Sequence, residues 1–126
     1  MRKFTRGRLF SFKYAFSGLR YVVISQRNAW IHAAITLAVI ILAAMLQLSL
    51  IEWSIMLLAI ALVWAAEIFN TAIEALVDLA SPEIHPLAKI AKDTSAAAVL
   101  FCAIISVLIG LVILLPPVVV WFRSII

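Results

Sequence analysis

Acidic residues are scarce in this chain, and none precedes Glu52: six Asp and Glu stand against ten Lys and Arg in 126 residues. Glycine is scarcer still, with only Gly7, Gly18 and Gly110. Neither the phosphate loop G-x-x-x-x-G-K-[ST] nor a kinase glycine loop is present, which excludes the known soluble ATP-binding folds built on them. The single cysteine, Cys102, excludes an intramolecular disulfide and a cysteine metal cluster. In its apolar segment it reads as a small buried residue. Charged residues make up only 13% of the chain and hydrophobic ones 67%. Mean hydropathy is +1.20, whereas soluble domains are about half apolar. This is the composition of a membrane protein, read as a single domain over 1–126. There is no internal repeat and no low-complexity linker.

What charge there is lies unevenly. Seven of the ten basic residues fall in the first 27: Arg2, Lys3, Arg6, Arg8, Lys13, Arg20 and Arg27. Nucleic-acid binding would be one use of such a block. In a membrane protein the simpler use is a cytoplasmic segment against anionic headgroups, so no nucleic-acid partner is expected. Within 9–27, Phe12, Ala15, Phe16, Leu19, Val22 and Val23 recur at helical spacing opposite Lys13, Ser17 and Arg20. This predicts an amphipathic helix in the interface, within a cytoplasmic segment over 1–30. No secretory signal peptide is expected, since the first apolar run begins only near Ala33.

Three segments can span a bilayer, which takes about 20 apolar residues: 33–50, 53–80 and 95–117. The second is apolar only to Ala66, and its helix is expected to run on to about Ala80 with its last turns in the interface. The third opens at H-P-L-A-K-I-A-K-D, and Pro116-Pro117 is expected to close it. Lys89 and Lys92, between spans two and three, join the basic N-terminus on the cytoplasmic side. Trp53 and Trp121 then fall at the outer interface. The fold class is all-α: three transmembrane helices preceded by an interfacial helix.

The polar residues that remain are concentrated at one place. Residues 67–78 read E-I-F-N-T-A-I-E-A-L-V-D. At 100° per residue, Glu67, Glu74 and Asp78 fall within about 40° of one another, with Asn70 roughly 60° to one side. Ionisable groups at the edge of a membrane span are costly and by default functional. Acids on one face repel unless a cation sits among them, and oxygen ligands with substrate phosphate suit Mg²⁺. Glu83, His85, Lys89, Lys92 and Asp93 come next, at the head of the third span. Lysines there can neutralise the acids, or they can grip phosphates while carboxylates hold a metal, which is what phosphoryl transfer needs. His32 and His85 lack a second histidine at metal spacing and read as structural or interfacial. Ala96-Ala97-Ala98 allows close helix packing.

The strings E-I-F-N-T-A-I-E-A-L-V-D and H-P-L-A-K-I-A-K-D-T-S-A-A-A-V-L resemble the signature of the prokaryotic diacylglycerol kinase family, which includes the undecaprenol kinases. The likeness extends in order to F-K-Y-A-F-S-G-L-R, R-N-A-W-I-H and L-S-L-I-E-W, and so covers nearly the whole chain. It implies a homotrimeric lipid kinase of the bacterial cytoplasmic membrane. Such an enzyme moves the ATP γ-phosphate to a lipid alcohol with Mg²⁺, at a site on the cytoplasmic side. By motif position, Glu67 matches the general base and Glu74 the principal metal ligand. Tyr14, Asn70, Glu83, Lys92 and Asp93 match the nucleotide site, Tyr14 packing on adenine; Asp78 and Lys89 are supporting positions. Gln26 departs from the pattern, because the family commonly has Glu there as a second metal carboxylate. An amide oxygen can coordinate but brings no charge, so metal affinity is expected to fall. A weakened site, a shifted ligand set and an impaired enzyme all fit that change; a working kinase is the reading adopted. R-N-x-x-I-H, L-S-L-I-E-W and H-P-L-A-K look closer to the undecaprenol branch. Undecaprenol is therefore the expected acceptor and diacylglycerol the alternative. A non-catalytic protein, such as a holin-like pore or an accessory subunit, is the alternative of another class. A lipid phosphatase lacks its paired His and Arg motif.

Overall fold

The computed structural model describes residues 2–83 and 85–123, with side chains from residue 10 onward. The side chains of Arg2, Lys3, Arg6 and Arg8, more than half of the basic block, therefore lie outside the described residues. Every described element is a helix: α1 Arg2–Ser25, α2 Arg27–Met45, α3 Leu50–Ala80 and α4 Pro86–Arg123. The last three are long and apolar enough to cross a membrane.

The breaks between helices have local causes. At Gln26 the backbone turns extended, with φ −103° and ψ 117°, so α1 and α2 meet at a single residue. An N-cap side chain usually accepts a bond from the first turn; Gln26 makes none, which leaves its amide free to reach elsewhere. The apolar run expected over 33–50 is cut short, since α2 ends at Met45 and Gln47 takes the left-handed φ of 54°. The reason is the cap of the third helix. Ser49 caps α3 by accepting from the Glu52 N–H, while the Glu52 carboxylate accepts from the Ser49 N–H at 2.8 Å. This capping box starts α3 at Leu50, so Glu52 belongs to its first turn rather than to a loop. At 1.5 Å per residue the 31 residues of α3 reach about 46 Å, beyond a hydrocarbon core of about 30 Å. Its polar end must therefore leave the lipid.

Pro86 opens α4 as the first helical residue, where its missing N–H costs nothing. Pro116-Pro117 does not close the helix as expected: α4 continues through both to Arg123. Each proline forfeits one bond to a carbonyl four residues back, but the flanking turns hold, as membrane helices allow.

The α3–α4 hairpin is the main packing unit, and α2 and α1 lean on it more lightly. Along α3 the buried positions Met56, Ala59, Val63, Glu67, Asn70 and Thr71 trace one stripe, apolar at first and polar at its end. Opposite it lie Ser95 and Val99 of α4. Ser106 donates to the Ala59 carbonyl at 3.1 Å, and the Trp64 indole N–H donates to Thr36 of α2 at 3.1 Å. Most large apolar side chains face outward, among them Ile35, Leu58, Phe101 and Val112. A soluble core would bury them; a bilayer solvates them.

Candidate active site

The polar end of the α3 stripe forms a cleft of about 250 Å³ lined by Gln26, Asn28, His32, Glu67, Asn70 and Glu74, with Ala96, Val99 and Ala103 behind. Three elements converge there. Helical spacing puts Glu67, Asn70 and Glu74 on one face of α3, the α1–α2 junction supplies Gln26, and α4 closes the back.

Glu74 accepts two amide bonds, one per oxygen: Gln26 Nε2 donates at 3.0 Å and Asn70 Nδ2 at 3.1 Å. Asn70 is held from its other side by the Ser95 hydroxyl, which lies 2.7 Å from Oδ1. The result is a chain of bonds from α4 through α3 to the α1–α2 junction. Glu67 is different. It is 1% exposed, and neither carboxylate oxygen has a hydrogen-bond partner among the described residues. His32 and Glu74 are the ionisable groups that line the cleft with it. A buried carboxylate without a partner is strongly disfavoured. Glu67 therefore needs a proton, a cation or a substrate hydroxyl from outside the chain.

Does this donor set suit Mg²⁺? Among the described residues no three His, Cys, Asp or Glu side chains come together to hold a metal. A dedicated all-protein cage is thus absent from that part of the molecule. Mg²⁺ is instead commonly held by one or two carboxylates with substrate phosphates completing the shell. Glu74, the orphaned oxygens of Glu67 and the amide oxygens of Gln26 and Asn70 fit that mode.

The remaining residues singled out from the sequence divide into two groups. Lys92 bonds Asp78 at 2.9 Å, not Glu67 or Glu74, and so ties α4 to α3 at the rim of the site. Lys89 and Asp93 pair with each other one turn apart on the exposed face of α4. Tyr14, 70% exposed on α1, and Glu83, exposed just beyond α3, do not line the cleft. His85 accepts from the Leu87 N–H at 3.2 Å and so caps α4. His32, read from the sequence as structural, and Asn28 both line the cleft, whereas Ser95 lies outside the lining and reaches it through Asn70. In the sequence Ser95 stands inside an alanine-rich string. Its one signal is position: it lies three residues after Lys92, on the same face of α4.

Below the cleft an apolar groove of about 400 Å³ runs between α2, α3 and α4, past Ile35, Val39, Val63, Val107 and Leu111. His32 and Ala103 line both spaces, so the cleft and the apolar groove adjoin.

Comparison with known proteins identifies the family. The profile of the family described as prokaryotic diacylglycerol kinase matches residues 13–114. The undecaprenol kinase of Bacillus subtilis (strain 168) is 46% identical over 106 residues, 84% of this chain and 86% of that protein. The diacylglycerol kinase of Synechocystis sp. is also 46% identical, over 86% of this chain but only 63% of its own length. That of Escherichia coli (strain K12) is 34% identical over 75% of this chain and 78% of its own.

Proposed function

The chain belongs to the prokaryotic diacylglycerol kinase family of membrane lipid kinases, and from that premise we propose that it phosphorylates undecaprenol with Mg²⁺-ATP at the cleft around Glu67. The observation that carries the proposal is the buried Glu67 carboxylate, without a hydrogen-bond partner among the described residues, which lines the cleft one turn from Val63 of the adjoining apolar groove. A lipid alcohol has the same two halves.

Glu67 is the group that takes the proton of the lipid hydroxyl. As it does so, the alcohol oxygen bonds to the γ-phosphorus and the bond to ADP breaks, the proton leaving later to water. Burial suits the task, because a base out of water is not quenched by solvation and waits for a hydroxyl delivered from the membrane side. Glu74 is the principal metal ligand, joined by Gln26, and Asn70 sits between them and the nucleotide. Bound Mg²⁺ supplies charge neutralisation at the phosphates. Lys92 and Asp93 stand at the rim with Asp78 and Lys89, where a triphosphate can replace their present ion pairs. Tyr14 and Glu83 are outlying nucleotide contacts. The basic residues of the N-terminal segment with Lys89 and Lys92 set this rim on the cytoplasmic side. The strings R-N-A-W-I-H and L-S-L-I-E-W support undecaprenol over diacylglycerol. Relatives of both names stand at 46% identity, so identity alone does not choose. The relatives and the acid–amide–acid face leave no support for a non-catalytic pore.

The test offers undecaprenol and diacylglycerol in parallel to protein in mixed micelles with Mg²⁺ and labelled ATP. Undecaprenol is expected to be phosphorylated well above diacylglycerol; the reverse ranking would exchange the acceptor, and no transfer to either would remove the function. Glu67→Gln should cut turnover by about a hundredfold or more with the protein still folded. Full activity in that variant would end the role of Glu67.

A further inference from the structure

Ser95 is nine-tenths buried at the α3–α4 contact, and its hydroxyl has two oxygens within reach. Asn70 Oδ1 lies at 2.7 Å and the Lys92 carbonyl at 2.9 Å. A hydroxyl has one proton, so it donates to one of them at a time. Glu74 decides which. A carboxylate must be met by N–H, so Asn70 turns Nδ2 toward Glu74 and Oδ1 toward Ser95, and the hydroxyl proton points at Asn70. If Glu74 instead holds a cation, Asn70 can join it only through its oxygen. The amide must then turn over and present Nδ2 to Ser95. The same hydroxyl can meet that state by accepting from Nδ2 and swinging its proton to the Lys92 carbonyl.

We propose that Ser95 is a positioning residue for Asn70, a reversible hydrogen-bond partner that satisfies the buried amide in both orientations and so lets it turn its oxygen to a cation at Glu74. The inference rests on the reading of Glu74 and Asn70 as the cation side of the site. It adds a residue on α4 whose effect passes through Asn70. The two orientations do not suffer equally without it. In Ser95→Ala the present state leaves the Asn70 carbonyl without its serine bond, whereas the turned state leaves a buried NH₂ without its serine acceptor, and buried donors go unpaired less often than carbonyls do. The loss therefore falls on the cation-bound state.

The experiment measures Mn²⁺ binding by electron paramagnetic resonance on the full-length protein in micelles, without nucleotide or lipid, with lipid phosphorylation assayed in parallel. Ser95→Ala is expected to weaken Mn²⁺ binding by about tenfold, to raise the metal requirement of turnover to match, and to leave the KM for lipid unchanged. Ser95→Thr, which keeps the hydroxyl, is expected to stay close to the wild type. Because threonine adds a methyl at a helix contact, a double-mutant cycle gives an independent arm: in an Asn70→Ala background, Ser95→Ala should have no further effect on Mn²⁺. Additive losses, or wild-type Mn²⁺ affinity in Ser95→Ala, would overturn the inference. An active kinase with either result sinks the role of Ser95 alone. A wild-type protein that neither binds Mn²⁺ nor phosphorylates lipid sinks the reading of the site together with it.

Discussion

Gln26 shows how one side chain changes the electrostatics of a site. Its amide N–H donates to Glu74 at 3.0 Å, across 48 residues of sequence. With Asn70 on the other oxygen, both oxygens of the Glu74 carboxylate are engaged before any ligand arrives. A cation must displace at least one of these donors, so the bonds that settle the resting site also compete with metal. A glutamate at 26 would do the opposite, repelling Glu74 in the resting state and adding charge to the ligand set. Gln26→Glu is therefore expected to lower the melting temperature in EDTA, by the equivalent of about 2 kcal/mol for a lost bond to a charged group. Mg²⁺ should then raise it more than in the wild type, as ligand linkage requires. Thermal melts with and without Mg²⁺ decide this, and an unchanged Mg²⁺ increment would take Gln26 out of the metal set. The candidate acids themselves were legible at this scale, because Glu67, Asn70 and Glu74 are related by helical period alone. The state of each was not. Lys92 was expected near the acids or the phosphates, yet it bonds Asp78, and Glu67 has no partner among the described residues.

Among the elements, α3 carries the most consequence. The capping box at Ser49 and Glu52 fixes its start, and everything on its face runs in register to Glu74. Ser49→Ala should cost about 1 kcal/mol of stability. It should leave the KM for ATP unchanged, since about 27 Å of helix separates the cap from Glu67. A melt together with steady-state kinetics checks both; a raised KM would mean that the register of α3 had slipped. The helices were found readily from apolar runs and amphipathic spacing, but their ends were not. α2 stops at Met45 because the Ser49 cap begins a new helix, and α4 passes through Pro116-Pro117 because each proline removes only one bond from a long ladder. Both ends depend on competition between adjacent elements, which a hydropathy window does not weigh.

For the whole molecule, the bundle is open. α3 packs on α4, α2 rests on α3, and the groove between α2 and α4 is lined almost entirely by apolar side chains. Only 11% of the most apolar window of α2, and the same share of α4, is buried within the chain. Lipid or further copies of the chain must solvate the rest. The proposed homotrimer is tested by native mass spectrometry and by cross-linking in micelles. A three-subunit species that accounts for the activity is expected; full activity in a strictly monomeric fraction would rule the assembly out. By itself the sequence determined the membrane class, the count of long helices and the acid–amide–acid face, because each is a property of composition or of a period along one helix. The tertiary structure alone decided which donors hold Glu74, that Ser95 reaches Asn70, that Lys92 turns to Asp78 and that Glu67 is buried in the cleft with no partner among the described residues. The contacts between helices join residues 14 to 48 positions apart. They are set by how the helices are rotated and where they cross, which no single-helix period encodes.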